Sequence, residues 1–162
     1  MGKVIGGGLP AAAYGGPREH MERIAPPGDV YQAGTLSGNP LAVAAGLATL
    51  EQLDAAAYER LGALTDRLAQ GFEALAADRP LQVAAAPGLV TLFFSDAPVV
   101  DFATATACDT EAHAAFCRAL LGRGVYPPPA QYEAWFVSLA HDEGTIDQTL
   151  EAAAASLDEA LQ

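Results

Sequence analysis

The chain has 162 residues, of which 51% are hydrophobic, so its composition predicts a globular protein with a substantial core. Its formal net charge is −12, which disfavours nucleic acid and anionic membrane surfaces as partners, because both are bound by basic patches. The start lacks a basic segment followed by an apolar one, and no stretch has the character of a membrane span, so we expect a cytoplasmic protein.

The opening segment combines a lysine with a run of glycines, Gly6–Gly8. Lys3 is the only lysine in the sequence, and the other seven basic residues are arginines. An amine, unlike a guanidinium, can lose its proton when desolvated and attack a carbonyl carbon. Two interpretations of Lys3 stay open: a nucleophilic amine, or a solvated side chain near the chain end. The glycines match neither the dinucleotide-binding fingerprint nor the P-loop.

Short elements and then a helix are predicted next. We expect a short strand in Leu9–Tyr14 and a helical turn or two in Pro17–Arg23, with Pro17 at the first position. Asn39-Pro40 predicts the start of an alanine-rich helix that runs to Leu53, because Asn is a favoured N-cap and Pro a favoured first residue.

The residues before that helix, Gly34–Pro40, form a candidate anion site. Thr35 and Ser37 supply two hydroxyl groups. Unpaired backbone N–H groups and the positive end of the helix dipole suit a phosphate at a helix N-terminus. The alternative interpretation is an ordinary hydroxyl-rich cap.

A second helix and two strands follow in the predicted order. Leu81–Ala86 and Leu89–Ser95 have the composition of two strands around a Pro87-Gly88 turn, and Asp96–Thr106 is expected to be a loop. The helix before them is indicated by apolar residues at spacings of three and four: Tyr58, Leu61, Leu64, Leu68, Phe72 and Leu75.

A third helix is predicted from Asp109 or Thr110 to Leu121. Cys108 and Cys117 are nine residues apart, about 13 Å along a helix, which exceeds the roughly 7 Å that a disulfide allows between Cα atoms. We therefore predict reduced thiols. The three histidines are scattered, so no metal site is expected; His20 and His113 are predicted to lie on helix surfaces.

The last part of the chain is predicted to add two strands and a helix. Val125-Tyr126 and Trp135–Leu139 are the strands, and Asp142 is the cap of the final helix. Glu133 lies among aromatic residues, and it is either part of a pocket wall or solvated at a strand end. His141 is expected to be a surface or capping residue. The resulting order, β-β-α-β-β-α, predicts an α+β fold with an antiparallel sheet.

Four segments resemble class III pyridoxal-phosphate aminotransferases, and they occur in the family's order: Gly2–Pro10 with Ala13–Gly16, Tyr31–Pro40, Gly124–Pro128 and Glu133–His141. Tyr31–Pro40 is similar in particular to the glutamate-1-semialdehyde 2,1-aminomutase branch of the family. The resemblance covers essentially the whole chain. It matches the C-terminal part of the family's usual length, from the cofactor lysine onward.

The resemblance implies a role for five residues. Lys3 would form the internal aldimine with pyridoxal 5'-phosphate and then shuttle protons at the substrate carbons. Gly34 and Thr35 would bind the cofactor phosphate of the neighbouring subunit in a homodimer. Glu133 and Tyr31 would line the substrate pocket. The family's reaction moves an amino group within glutamate-1-semialdehyde to give 5-aminolevulinate for tetrapyrrole synthesis.

The resemblance also implies a domain organisation of the fold-type I enzymes. Residues 1–38 would be the end of the large cofactor domain, 39–78 a connecting helical arm, and 79–162 the small C-terminal α+β domain. The family's acidic residue for the pyridinium nitrogen and most other pocket residues precede the lysine, so we expect negligible aminomutase activity from this chain alone.

Two alternatives to the aminomutase stay open. One is part of a class III ω-aminotransferase that uses an external amino acceptor. The other is a non-catalytic α+β module that dimerises through Val30–Leu53.

Overall fold

The computed structural model describes residues 1–161. These fall into two structural units, the first from Met1 to Ala56 and the second beginning at Ala57. A 3-10 turn occupies Lys3–Gly6. The helices are α1 Arg18–Met21, α2 Pro40–Glu51, α3 Ala55–Ala76, α4 Phe102–Thr106, α5 Thr110–Gly122 and α6 Glu143–Ala160. The strands are β1 Leu81–Ala86, β2 Leu89–Phe94 and β3 Trp135–Phe136.

The second unit is built on an antiparallel sheet with strand order β1-β2-β3. β1 pairs with β2 along its whole length, from Leu81 opposite Phe94 to Ala86 opposite Leu89. β3 is short and pairs with β2 only at Leu89 and Val90. The turn between β1 and β2 is fixed by Gly88, whose N–H donates to Thr65 Oγ1 of α3 at 3.0 Å.

One face of this sheet carries the core. Val90, Leu92 and Phe94 alternate along β2 and are buried, as the two-residue period of a strand requires. Helices α3, α5 and α6 cover them with the buried residues Leu64, Leu68, Phe72, Phe116, Leu120, Ile146, Ala153 and Leu157. The predicted α+β fold with an antiparallel sheet is confirmed.

The first unit has a different character. Its buried residues are Gly6, Ala42 and Gly46, all of them small. Large apolar side chains of this unit are exposed, among them Val4, Tyr14, Val30, Tyr31, Leu36, Leu41, Val43, Leu47 and Leu50. The helix α2 therefore packs through small residues and leaves its large residues uncovered by the chain itself.

The predicted helix starts are confirmed by their caps. Asn39 Oδ1 accepts from the N–H groups of Leu41 at 3.1 Å and Ala42 at 3.2 Å. Asp109 caps α5, and Asp142 caps α6 by accepting from Thr145 N–H at 2.7 Å. Each carboxylate or amide oxygen satisfies backbone donors that a helix start leaves without partners.

Several predicted strands are wrong. Leu9–Tyr14 is irregular, with Leu9 N–H donating to Gly6 O across a turn. Val125-Tyr126 is also irregular, because the prolines that follow have no N–H to continue a ladder. Trp135–Leu139 contributes only Trp135–Phe136 to the sheet. The second unit therefore has the order β-β-α-α-β-α after α3.

The predicted loop Asp96–Thr106 contains the short helix α4. Asp101 and Thr104 form a capping box, in which the Asp101 side chain accepts from Thr104 N–H at 2.8 Å and Thr104 Oγ1 accepts from Asp101 N–H at 3.0 Å. This reciprocal pair stabilises a single helical turn that apolar periodicity does not reveal.

Two glycines of α3 give a matched test of the packing between α3 and α6. A Cβ at Gly71 meets the Leu150 side chain of α6, whereas a Cβ at Gly62 has no atom within 4 Å. We expect Gly62→Ala to stabilise the protein by up to about 1 kcal/mol through helix propensity. Gly71→Ala should be less stable than Gly62→Ala, because the Leu150 side chain has to move aside and this offsets the same propensity gain. Urea unfolding of both variants measures the difference; equal stabilities contradict this packing.

Candidate functional site

Lys3 opens the 3-10 turn in a conformation that is unusual for a side chain with a Cβ. Its φ is 51°, and it is the one non-glycine residue with positive φ in residues 1–161. The left-handed region is sterically unfavourable for residues other than glycine, Asn and Asp, and such outliers cluster at functional sites. The Lys3 side chain is exposed.

The glycines after Lys3 allow the turn to lie directly on α2. Gly7 has φ of 56°, and a Cβ there would be 2.6 Å from Thr49 Oγ1 and 3.1 Å from Ala45 O. From the other side, a Cβ on Gly46 would be 3.0 Å from Ile5 O. The backbone that carries Lys3 is thus supported by α2 through positions that have no room for a larger residue.

The predicted anion segment forms a turn ahead of α2. Ser37 N–H donates to Gly34 O at 2.9 Å, Asn39 N–H donates to Leu36 O at 3.0 Å, and Gly38 has φ of 71°. Thr35 is exposed at the tip of this turn. Asn39 Oδ1 already accepts from two N–H groups of the first helical turn, so the donors for any anion here would have to come from the hydroxyl-bearing turn.

An open groove of about 740 Å³ lies beside this segment. It is lined by Gly34–Asn39, by the irregular stretch Pro10–Tyr14, and by the start of α2 at Ala42 and Val43. Lys3 does not line it. Within the first unit, the predicted lysine and the predicted phosphate contacts therefore belong to different surfaces.

The two predicted substrate residues are both exposed but belong to different units. Tyr31 lies in the first unit and is 84% exposed. Glu133 lies in the second unit, in a turn closed by its own N–H donating to Ala130 O at 3.0 Å. Gln131, inside this turn, is buried and polar, and sequence reasoning did not single it out.

The histidines correct one prediction and confirm another. His141 is a capping residue as predicted, with Nδ1 accepting from Ser138 N–H at 3.0 Å. The surface position predicted for His113 is wrong, since it is 6% exposed and packs on the Phe94 ring at 6.0 Å between centroids. The missed signal is the spacing of four residues that places His113 and Cys117 on the apolar side of α5.

His113 and Cys117 form a buried contact, with 3.5 Å between Nε2 and Sγ. Burial lowers the pKa of the His113 imidazole and raises the pKa of the Cys117 thiol, which the nearby Arg118 opposes only in part. Both shifts favour the neutral forms, so the pair is not an activated thiolate. Both cysteines are free, as predicted.

The family assignment follows from comparison of the whole chain with known proteins. The family model described as "Aminotransferase class-III" matches residues 1–152. The chain belongs to this aminotransferase family.

Curated and solved relatives of this class-III aminotransferase chain agree with that assignment. It is 55% identical over 160 residues to the glutamate-1-semialdehyde 2,1-aminomutase of Roseiflexus castenholzii, covering 97% of this chain and 37% of that protein. The crystal structure of an omega-transaminase from Sphaerobacter thermophilus superimposes with a TM-score of 0.85 at 28% identity, covering 100% of this chain and 38% of that one. A transaminase with PLP bound gives a TM-score of 0.82 at 26% identity, over 99% of this chain and 38% of that one.

The chain thus spans a little over a third of the length of the relatives it matches. Within residues 1–161, no helix combines the length and apolarity needed to cross a membrane. The same residues bring together no group of three or more metal-ligating side chains.

The buried imidazole predicts how stability depends on pH. An unfolded histidine has a pKa of about 6.5, and burial lowers the folded value, so the unfolded state binds more protons below that pH. The free energy of unfolding should therefore decrease as the pH is lowered from 7.5 to 5.5. We expect His113→Phe to flatten this slope, and His20→Gln, at an exposed position, to retain it. Urea unfolding at both pH values measures this change in the free energy of unfolding. An unchanged pH dependence in His113→Phe contradicts this account.

Proposed function

We propose that this chain forms the cofactor-lysine segment, the phosphate-contact segment and the small C-terminal domain of a glutamate-1-semialdehyde 2,1-aminomutase. The enzyme would convert glutamate-1-semialdehyde to 5-aminolevulinate in tetrapyrrole synthesis, in the cytoplasm. The observation that carries the proposal is the conformation of Lys3, a sole lysine held in the left-handed region by a glycine turn in a class-III aminotransferase chain. Backbone strain of this kind is retained where the position of a side chain matters.

The residues present include two groups that suit pyridoxal 5'-phosphate. An exposed lysine amine suits an aldehyde, and the hydroxyl of Thr35 ahead of a twelve-residue helix suits a phosphate. When bound, the cofactor supplies an electron sink for the bonds of the substrate amine carbon. Lys3 Nζ would hold the cofactor covalently and then carry protons between the substrate carbons.

Gly34 and Thr35 would contact the cofactor phosphate of the neighbouring subunit in a homodimer. This arrangement is supported by the groove of the first unit, which includes Thr35 and does not include Lys3. The exposed apolar residues of α2, Leu41, Val43 and Leu47, support a surface that another chain covers. Tyr31 and Glu133 would line the pocket for the small-molecule substrate.

The domain boundaries belong to the same proposal. Residues 1–38 would complete the large cofactor domain, 39–78 would form a connecting arm and 79–162 the small domain. The sparse burial of residues 1–38, of which only Gly6 is buried, supports their assignment to a domain that other residues complete.

An ω-aminotransferase is the second candidate. Its solved relative superimposes well but is 28% identical, whereas the aminomutase relative is 55% identical over a similar span. The higher identity favours the aminomutase. The assay that separates the two is the requirement for a second keto substrate, which an intramolecular transfer does not have.

The purified 162-residue chain should make no 5-aminolevulinate at a rate above background. Misplacing a catalytic group by about 1 Å costs on the order of 100-fold in rate. A chain with about a third of the enzyme's length lacks several of the catalytic and binding groups of the pocket. A chain that turns over the semialdehyde by itself contradicts this part of the proposal.

The role of Lys3 is tested by trapping its imine with borohydride in the presence of pyridoxal 5'-phosphate. The double variant Lys3→Arg/Arg18→Lys is the matched control, since it moves the sole lysine to another exposed position, whose side chain is 87% exposed. We expect the wild-type chain to be labelled about tenfold more readily than the control, a difference typical of one charge-assisted hydrogen bond to the bound group. Fragment mass spectrometry separates Lys3 from the Met1 α-amine.

The phosphate contact is tested in the same assay with pyridoxal, which lacks the phosphate. Because Thr35 would reach the cofactor on the other subunit, the assay is run at concentrations where the chain self-associates, and there the preference for the phosphorylated aldehyde should disappear in Thr35→Val. Equal labelling of the two lysine positions would overturn the proposed role of Lys3. An unchanged preference in Thr35→Val would overturn the phosphate role of Thr35 alone.

A further inference from the structure

Gln131 is a buried polar residue in the segment between the prolines 127–129 and β3. It is 3% exposed, and its Nε2 donates to Leu92 O of β2 at 2.9 Å. Its Oε1 is buried and has no hydrogen-bond partner within residues 1–161. A buried amide that makes one of its four possible hydrogen bonds and leaves its oxygen unpaired is an exception among buried polar groups, and it calls for a structural or functional explanation.

That bond completes an edge of the sheet that β3 leaves open. β3 pairs with β2 only at Leu89 and Val90. Farther along β2, Leu92 O accepts from Gln131, and Phe94 O accepts from Asp109 N–H at 2.9 Å. The amide of Gln131 therefore occupies the place that the backbone of a longer third strand would take.

The Gln131 bond also holds the turn Ala130–Glu133, to which this residue belongs. Gln131 attaches the turn Ala130–Glu133 to β2 through Leu92 O. The chain is attached to β2 again at Trp135, two residues after the turn, which pairs with Val90. Glu133 and Tyr132 lie between these two attachments and are exposed. A turn attached to a rigid strand at both ends has little freedom to move its side chains.

We propose that Gln131 is a positioning residue that fixes the Tyr132–Glu133 turn to the edge of β2 and so sets the location of the Glu133 carboxylate. Its importance for substrate binding rests on the proposed function. The location of the turn itself does not depend on that function.

The experiment compares Gln131→Leu with Gln82→Leu in the 162-residue chain by amide hydrogen exchange in NMR spectra. Gln82 is the matched control because it is half-buried on β1 and its Nε2 also donates to a backbone oxygen, Ser95 O at 3.4 Å. In Gln131→Leu we expect the Glu133 and Trp135 amides to exchange about tenfold faster, as for the loss of one hydrogen bond, with α5 and α6 unchanged. Gln82→Leu should leave both amides unchanged.

A second variant and a second probe keep the test decisive. Gln131→Asn retains the polar amide but is one methylene too short, so it should loosen the same amides if Gln131→Leu does not fold. Trp135 is the only tryptophan and packs edge-on against Phe72 at 5.2 Å, so acrylamide quenching of its fluorescence reports the same segment. Unchanged Glu133 exchange in both variants, or an equal increase across all helices, would overturn the positioning role.

Discussion

The structure depends on burying one face of a three-stranded sheet beneath three helices. Phe72, Val90, Leu120 and Leu157 come from α3, β2, α5 and α6 and are each 0% exposed. Burial of apolar surface stabilises a fold by about 0.8 kcal/mol per methylene, so this cluster holds most of the stability that the chain possesses. It lies wholly within the second unit.

The first unit packs through small residues, and the candidate site lies on it. Its contacts are made by glycine and alanine, which allow the Lys3 turn to approach α2 closely but bury little apolar surface. The residues that carry the proposed chemistry, Lys3, Gly34 and Thr35, are all exposed on this weakly buried unit. The proposed function accounts for this contrast, because in a longer enzyme the large apolar residues of the first unit would be covered by residues outside this chain.

Much of this could be predicted from sequence, for identifiable reasons. Helix starts were predictable because caps are local: Asn39, Asp109 and Asp142 each bind donors two or three residues away. The strands Leu81–Ala86 and Leu89–Phe94 were predictable from their apolar composition and the Pro-Gly turn. Lys3 stood out by composition, and the family comparison supplied its context.

The remainder depends on contacts that are distant in sequence. The short length of β3 depends on where β2 begins: Val137 N–H donates to Gly88 O in the β1–β2 turn, and Ser138 N–H beyond it donates to His141 Nδ1 and not to the sheet. Gln131 is buried against β2, 39 positions earlier in the chain, so its neighbours in the sequence do not distinguish it from a surface residue. His113 packs on Phe94, and the only local signal of its burial is its spacing of four residues from Cys117. The left-handed backbone of Lys3 is likewise visible only in the structure.

The central claim is that the second unit is stable by itself whereas the first relies on partners. Hydrogen–deuterium exchange of the whole 162-residue chain, followed by mass spectrometry of its peptides, tests it most directly. The account predicts strong protection of β2 and of the central turns of α3, α5 and α6, and rapid exchange throughout Met1–Glu51, α2 included. Protection of α2 equal to that of α5 in the isolated chain would contradict it.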